Sequence, residues 1–348
     1  MALTAEQRRG RILELITELG TARVVDLAER LDQAQVTVRR DVALMAEEGL
    51  LHRSHGSVSL PSAPAVQPSG RVVGMLVPTA TSYFDEVIDG VRAAAETVGA
   101  RVVLGISPYE SADDHAQVRQ LLDSGIQGLL ITPNWQPLGD ASESAWLTEL
   151  PVPVVLVERK PTPDSPAAEL DSVSSHHGHG VLLALRHLVG LGHESVVLAA
   201  RNDTSTARDV RAGYAAAVAS LGLTPLPILD VDESEMDRSA DEIVAAVGNG
   251  VRAALVHNDR AAIQLAALLH SRGVLIPRDL ALVSYDDVFA ALAAPPLTAV
   301  APPRRAVGQV AMELMLRRLD GGPELPVRHV ALLPSLRVRT SSVDAGRA

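Results

Sequence analysis

From residue 71 onward the chain alternates short apolar runs with amphipathic stretches of helical length, and no other feature limits the fold as strongly. The runs are RVVGMLVP, ARVVLGIS, GLLITP, PVVLVE, SVVLAA, AALVHN and LALVSY. Continuous apolar runs of this length predict strands buried on both faces, and the stretches between them predict the helices that cover a parallel sheet. The series falls into two similar halves near Glu158. The expected fold class is therefore α/β, with two doubly wound parallel subdomains, a ligand cleft between them, and chain crossings near 158–162, 286–292 and 320–326.

The segment PSAPAVQPSG at 61–70 interrupts all periodicity and predicts a linker. It separates a head, residues 1–60, from the body, residues 71–340, which a tail at 341–348 follows. In the head, Ile12, Leu15, Ile16 and Leu19 mark a first helix stopped by Gly20. Val24 to Leu31 gives a short second helix. A third runs from about Gln35 to Glu48, with Val38, Val42 and Met45 inward and Gly49 at its end. LLHRSHGSVSL then reads as a hairpin turning at His55 to Ser57. Three helices and a hairpin make a winged helix-turn-helix.

Several function classes are excluded by composition. With no cysteine there can be no disulfide, thiolate metal site or cysteine nucleophile, which agrees with a reducing compartment. The charged, amphipathic start MALTAEQRRG lacks a signal-peptide core, and no apolar run approaches the ~20 residues of a membrane span. A cytoplasmic location with no membrane partner is expected. The net charge of -11 argues against a protein that coats nucleic acid indiscriminately, though not against a small DNA-reading module.

The stretch VTVRRDVALMAEEGLLHRSHGSV resembles the DNA-binding head of DeoR-family repressors over residues 5–60. It departs from that pattern at Ala34, where the family has Ser, and at Ser57, where it has a second Gly. The blocks GRVVGMLVPTATSYFDEVIDGVRAAAETVG, PVPVVLVERK, HLVGLGHESVVLAA, ARDVRAGYAAAV, HNDRAAIQLAALLHSRGVLIPRDLALVSYDD and PPLTAVAPPRRAVGQVAMELML resemble the effector domain of the LacI/GalR family. That domain shares the fold of periplasmic sugar-binding proteins. The two resemblances imply a hybrid: a DeoR-type reader on a LacI-type sensor.

The candidate DNA-binding residues are Gln35, Thr37, Arg39 and Arg40 on the third helix, because the major groove admits one α-helix, with His52, Arg53 and His55 reaching the flanking backbone. Without the resemblance, a solvated helix with an Arg-Arg-Asp cluster accounts for the same residues. In open α/β sheets ligands bind beyond the carboxyl ends of the strands. Tyr83, Phe84 and Trp135 lie there, as do Tyr285 and Phe289, and aromatic faces suit apolar sugar faces. Core packing is the alternative for Tyr83, Phe84 and Tyr285.

By resemblance, Glu158, Arg159, Asn258 and Asp286 are the polar effector-binding residues. The family's arginine three residues before the Gly-aromatic pair is Val210 here, with Arg208 and Arg211 on either side as substitutes. In a chain where Lys160 is the sole lysine, a single Arg carries little weight. His176, His177 and His179 invite a metal reading, yet they stand at an expected helix start where the family often has Asp, so capping or surface exposure is the plainer account.

No catalytic motif is present: no GxSxG, Walker loop, HExxH or GxGxxG after a strand. The expectation is a homodimeric, sequence-specific DNA-binding regulator, a repressor, that needs no cofactor and no metal. Its partners are double-stranded operator DNA and a small polar effector, a sugar or polyol. A carbohydrate-acting enzyme on a similar scaffold is the alternative, and a transport-binding protein lacks the export signal it would need.

Overall fold

The computed structural model describes residues 4–48, 50–54, 57–59, 70–79, 83–108, 113–135, 141–232 and 234–343. The chain divides into two compact units, Met1–Gln67 and Pro68–Ala348. The expected linker, apart from Gly70, the last residues of the expected tail, Gly49 and the wing turn with His55 lie outside the described residues.

The first unit contains α1 (Ala5–Leu19), β1 (Thr21–Arg23), α2 (Val24–Arg30), α3 (Gln35–Glu47), β2 (His52–Ser54) and β3 (Ser57–Ser59). A reciprocal cap between Thr4 and Gln7 starts α1, and Gly20, with φ 71°, ends it. Between α2 and α3 the turn places Asp32 in the left-handed region, at φ 50°. Ile12, Ile16, Leu27, Val38, Val42 and Met45 fill the core at 0% exposure. The hairpin expected from the sequence is larger than anticipated: β1 pairs with β3, giving a three-stranded sheet ordered β1-β3-β2. Three residues, TAR, are too few to show a strand period, so β1 is invisible to pattern reading.

The second unit holds two six-stranded sheets. The first contains β4 (Val72–Val77), β5 (Arg101–Ile106), β6 (Gly128–Ile131), β7 (Val154–Val157), β8 (Asp171–Ser175) and β14 (His329–Leu332), in the order β14-β8-β7-β6-β4-β5. The second contains β9 (Val197–Ala200), β10 (Leu229–Asp230), β11 (Ala253–His257), β12 (Ala281–Tyr285), β13 (Thr298–Ala301) and β15 (Ser335–Arg337), in the order β10-β9-β11-β12-β13-β15. All pairs are parallel except β13 with β15. Around them pack α4 (Tyr83–Glu96), α5 (Asp114–Asp123), α6 (Ala145–Thr148), α7 (His177–Gly190), α8 (Ser205–Leu221), α9 (Met236–Gly248), α10 (Asp259–Ser271) and α11 (Arg304–Gly321). The doubly wound order expected from the sequence is present in both halves.

The crossings between sheets are not where the sequence placed them. The chain passes from β8 to α7 at residue 176, from β13 to α11 at 302–303, and from β14 to β15 at 333–334, rather than near 158–162, 286–292 and 320–326. The cause is β8, whose sequence DSVSS carries no apolar run yet lies buried beside β7, so the first sheet continues past Glu158. Likewise β13 and β14 each add a strand before the chain leaves its sheet.

Helix α11 packs against α4 through two glycines. A Cβ at Gly90 would lie 2.1 Å from the Arg305 oxygen, and one at Gly308 would lie 2.0 Å from the Val87 oxygen. Only glycine allows this approach. These two helices carry Tyr83 and Arg304, so their spacing sets the site described next.

Candidate functional site

In the first unit, α3 presents a divided surface. Val38, Asp41, Val42 and Met45 face inward, while Gln35, Arg39 and Arg40 are exposed and Thr37 is half-buried. The Arg-Arg-Asp triplet is not one solvated cluster. Asp41 is buried and accepts from Arg8 Nε at 2.5 Å, with Arg9 at 3.6 Å, which fixes α3 to α1 and leaves both following-face arginines outward. Its place in line with Val38 and Met45 was the readable signal for this positioning role. Ala34, at the helix N-cap, makes no side-chain bond, the loss expected from its departure from the DeoR pattern. His52 and Arg53 are exposed on β2.

In the second unit the candidate residues gather at the carboxyl ends of both sheets. Glu158, directly after β7, has φ 51° and only 6% exposure. Its carboxylate accepts from Tyr83 Oη at 2.8 Å, Ser175 Oγ at 2.8 Å and Ser175 N at 3.0 Å. Opposite it, His177 Nε2 lies 4.0 Å away, and His177 Nδ1 is 3.2 Å from the buried Tyr285 hydroxyl. Burial lowers the His177 pKa and raises that of Tyr83 well above its ordinary value, so both are neutral groups here.

Asp286, directly after β12, has φ 90°, and Asp287 has φ 53°. Non-glycine residues held in this region cost on the order of 1–3 kcal/mol each and persist only where surrounding bonds fix them. Asp259 supplies those bonds. Its buried carboxylate accepts from Ser284 Oγ at 2.9 Å and from the main-chain nitrogens of Val288, Phe289 and Ala290 at 2.5, 2.8 and 3.3 Å. Arg339 holds Asp287 at 2.6 Å. Arg304 donates to the Asp286 carbonyl at 3.0 Å and to Glu86 at 2.8 Å, with its guanidinium 5.6 Å from the Tyr83 ring centre. Sequence reasoning missed Asp259 and Arg304. The first was hidden behind Asn258, and the second is half of an Arg-Arg pair in an Arg-rich chain.

Buried polar atoms without a partner among the described residues concentrate at these strand ends: Asn134 Oδ1, Trp135 Nε1, His257 Nδ1 and Asp286 Oδ1. Leaving such a group unsatisfied costs about 1–3 kcal/mol, so each calls for an explanation. Asn134, another residue the sequence did not single out, is anchored by its amide nitrogen to the Ser107 carbonyl at 2.7 Å and to Asp114 at 3.1 Å, which orients the open oxygen. The side chain of Asn258, half-buried at the start of α10, caps nothing. Burial, and next the nearby Asp259 charge, raise the Asp286 carboxyl to about 7, while burial and His177 lower His257 to about 3.

Other candidates are committed elsewhere. Arg159 is buried and donates to the Pro133 and Glu158 carbonyls, both at 2.8 Å, so it braces the site rather than presenting a free guanidinium. Arg211 donates to the carbonyls of Ala200 at 2.6 Å and Arg201 at 2.8 Å and pairs with Asp230, which makes it a staple of the β9 end. Arg208 is half-buried beside Asp209 at 3.5 Å, and Val210, between Arg208 and Arg211 in sequence, is core. Phe84 packs in the apolar cluster beneath α4, against Tyr83 at 5.4 Å. Tyr285 is fully buried. His176 caps α7, its Nδ1 accepting from His179 N at 3.1 Å, and no group of three or more potential metal ligands occurs among the described residues. A groove of about 520 Å³, bordered by Glu86, Asp287, Ala301 and Arg304, runs beside the second and third crossings.

Comparison with known proteins agrees with both halves of this geometry. Residues 8–63 match the DeoR-like helix-turn-helix domain, and residues 185–342 match the periplasmic binding protein-like domain. Among curated relatives, the HTH-type transcriptional repressor PurR of Photobacterium profundum is 27% identical over 281 residues, covering 79% of this chain and 82% of its own. Among solved structures, the lac repressor dimer bound to operator and the anti-inducer ONPF superposes with a TM-score of 0.65 at 24% identity, over 78% of this chain and 94% of its own. A LacI family transcriptional regulator from Enterococcus faecium with bound ribose gives 0.63 at 20% identity, over 78% and 98%. At these identities the structural likeness speaks for the fold.

Proposed function

We propose that this DNA-binding regulator, a DeoR-like helix-turn-helix head on a periplasmic-binding-protein-like body, is a repressor whose operator affinity is set by a sugar or polyol held between the two α/β halves. The observation that carries the effector class is the set of open buried atoms at the strand ends. Asp286 Oδ1 and Asn134 Oδ1 accept, and Trp135 Nε1 donates. A hydroxyl does both, so a polyhydroxylated molecule matches the set, while the Tyr83 ring offers a face to its C–H surface. The ribose-bound neighbour supports the same class.

In this reading Asp286 and Asn258 fix hydroxyls from one half, and Glu158, Tyr83, Asn134 and Trp135 form the other wall. Arg304, touching Asp286, Glu86 and the Tyr83 face, links the halves and senses their closure. The head reads a major groove through Gln35, Thr37, Arg39 and Arg40, with Arg53 on the backbone. Homodimerisation on a two-fold operator belongs to this reading, and the dimeric repressor neighbour supports it. An intracellular, non-catalytic role belongs to the same reading, which the DNA reader and the repressor relatives support.

A thermal-shift screen of the full chain against sugars, polyols and nucleosides tests this. A ligand at 100 times its Kd adds about 2.7 kcal/mol to native stability. For a unit of this size that raises the melting temperature by roughly 5–10 °C. A sugar or polyol that does so and is recovered unchanged supports the reading. Stabilisation by nucleosides alone overturns the effector class, and conversion of the ligand favours a carbohydrate-acting enzyme.

A further inference from the structure

Val36 is 79% exposed in the first turn of α3, far more than the other exposed large apolar residues of the head, Leu19, Val25 and Leu50, at 39–45%. Nothing in the fold asks for an apolar side chain there. The inward stripe of α3 is Val38, Asp41, Val42 and Met45, and position 36 lies off it. A β-branched residue is also a poorer helix former than alanine. What position 36 does share is a face with Arg39 and Arg40, at i+3 and i+4, beside Gln35.

In a helix-turn-helix the N-terminal residues of the second helix meet the base edges. The major-groove edges of the bases consist of hydrogen-bond donors and acceptors with one apolar group, the C5-methyl of thymine. From this placement we infer that Val36 is a specificity-determining residue that packs on a thymine methyl in each half-site and selects T·A over C·G there. Gln35, Arg39 and Arg40 surround that contact with hydrogen bonds to neighbouring bases and phosphates. Because the methyl is buried only in the complex, the contact adds discrimination without stabilising the free head. This inference rests on α3 being the recognition helix.

The test starts from the site that the full chain selects out of a random duplex pool. Each thymine of that site is then replaced singly by deoxyuridine, which removes the methyl and keeps every hydrogen-bonding edge. For the wild type, one replacement per half-site should weaken binding roughly fourfold, equivalent to one buried methyl group at about 0.8 kcal/mol. Val36→Ala should bind the thymine and uracil duplexes equally at that position while keeping the rest of the selected sequence. If no uracil replacement matters, or if Val36→Ala remains as sensitive as the wild type, the inference is overturned and DNA reading by α3 stands. If no sequence is enriched at all, the reading of the head as sequence-specific fails and takes the inference with it.

Discussion

Arg304 donates to the main-chain oxygen of Asp286 at 3.0 Å, while the Asp286 carboxylate keeps Oδ1 buried and without a partner. The backbone of Asp286 is thus fixed while its Oδ1 stays open, and in the proposed function that oxygen accepts from the effector. Asp286→Ala should weaken effector binding at least tenfold, because a hydrogen bond to a buried charged group contributes ~1.5–3 kcal/mol. DNA binding in the absence of effector should be unchanged. Calorimetric titration of both chains with the ligand found by screening checks this, and equal dissociation constants would remove Asp286 from the site.

Stability should depend on pH through the same residue. Its folded carboxyl titrates near 7, and the unfolded one near 4. The folded chain therefore holds a proton that the unfolded chain has lost across that interval. The contribution is fully present below about pH 4 and disappears as pH rises through 7. His257, held down to about 3, acts the other way, its contribution being lost as pH falls below about 6.5. Urea unfolding of wild type and Asp286→Asn at each pH cancels the histidine. Wild type should gain on the variant from pH 8 to 5, by at most about 1.4 kcal/mol per unit, and parallel curves would contradict the burial of this charge.

Gly308→Ala should destabilise the body. The added Cβ meets the Val87 oxygen at 2.0 Å and the Val91 nitrogen at 2.8 Å, both main-chain atoms that cannot rotate aside. Overpacking of this kind typically costs ~1–3 kcal/mol or more. Since α4 and α11 carry Tyr83 and Arg304, effector affinity should fall as well. A chain that melts like wild type and binds effector normally would show that these helices are not in contact through Gly90 and Gly308.

Ala34→Ser should stabilise the head by ~0.5–2 kcal/mol. The residue already has the extended N-cap geometry, φ -61° and ψ 133°, and lacks only an acceptor for the first turn of α3. Thermal unfolding followed by circular dichroism should show the head transition moving up, and no movement would mean that water already satisfies those amides.

The seven apolar runs all became strands; six lie buried within their sheets, while the seventh, β5, is a half-buried edge strand. What escaped the sequence depended on distant partners. β8 has a single apolar residue, Val173, among Asp and Ser, so its burial between β7 and β14 leaves no apolar run to read. Glu158, Asn258 and Asp286 were readable as strand-end residues. Which of two neighbouring acids stays open was not readable: Asp259 and Asp286 look alike in sequence, and only the loop at 288–290 shows that Asp259 is consumed by main-chain bonds. For the arginines the opposite error arose. Arg159 and Arg211 stood where free guanidiniums were expected, yet their donors are taken by carbonyls.

The central claim is that one chain couples effector binding in the body to DNA reading by α3. Fluorescence anisotropy on the selected duplex, for wild type, Asp286→Ala and Arg39→Ala, with and without saturating effector, tests it most directly. Effector should change wild-type DNA affinity at least fivefold, a coupling of about 1 kcal/mol or more. Asp286→Ala should bind DNA normally and fail to respond, and Arg39→Ala should bind effector normally and bind DNA poorly. Wild-type DNA affinity that stays the same when the effector is fully bound would contradict the account.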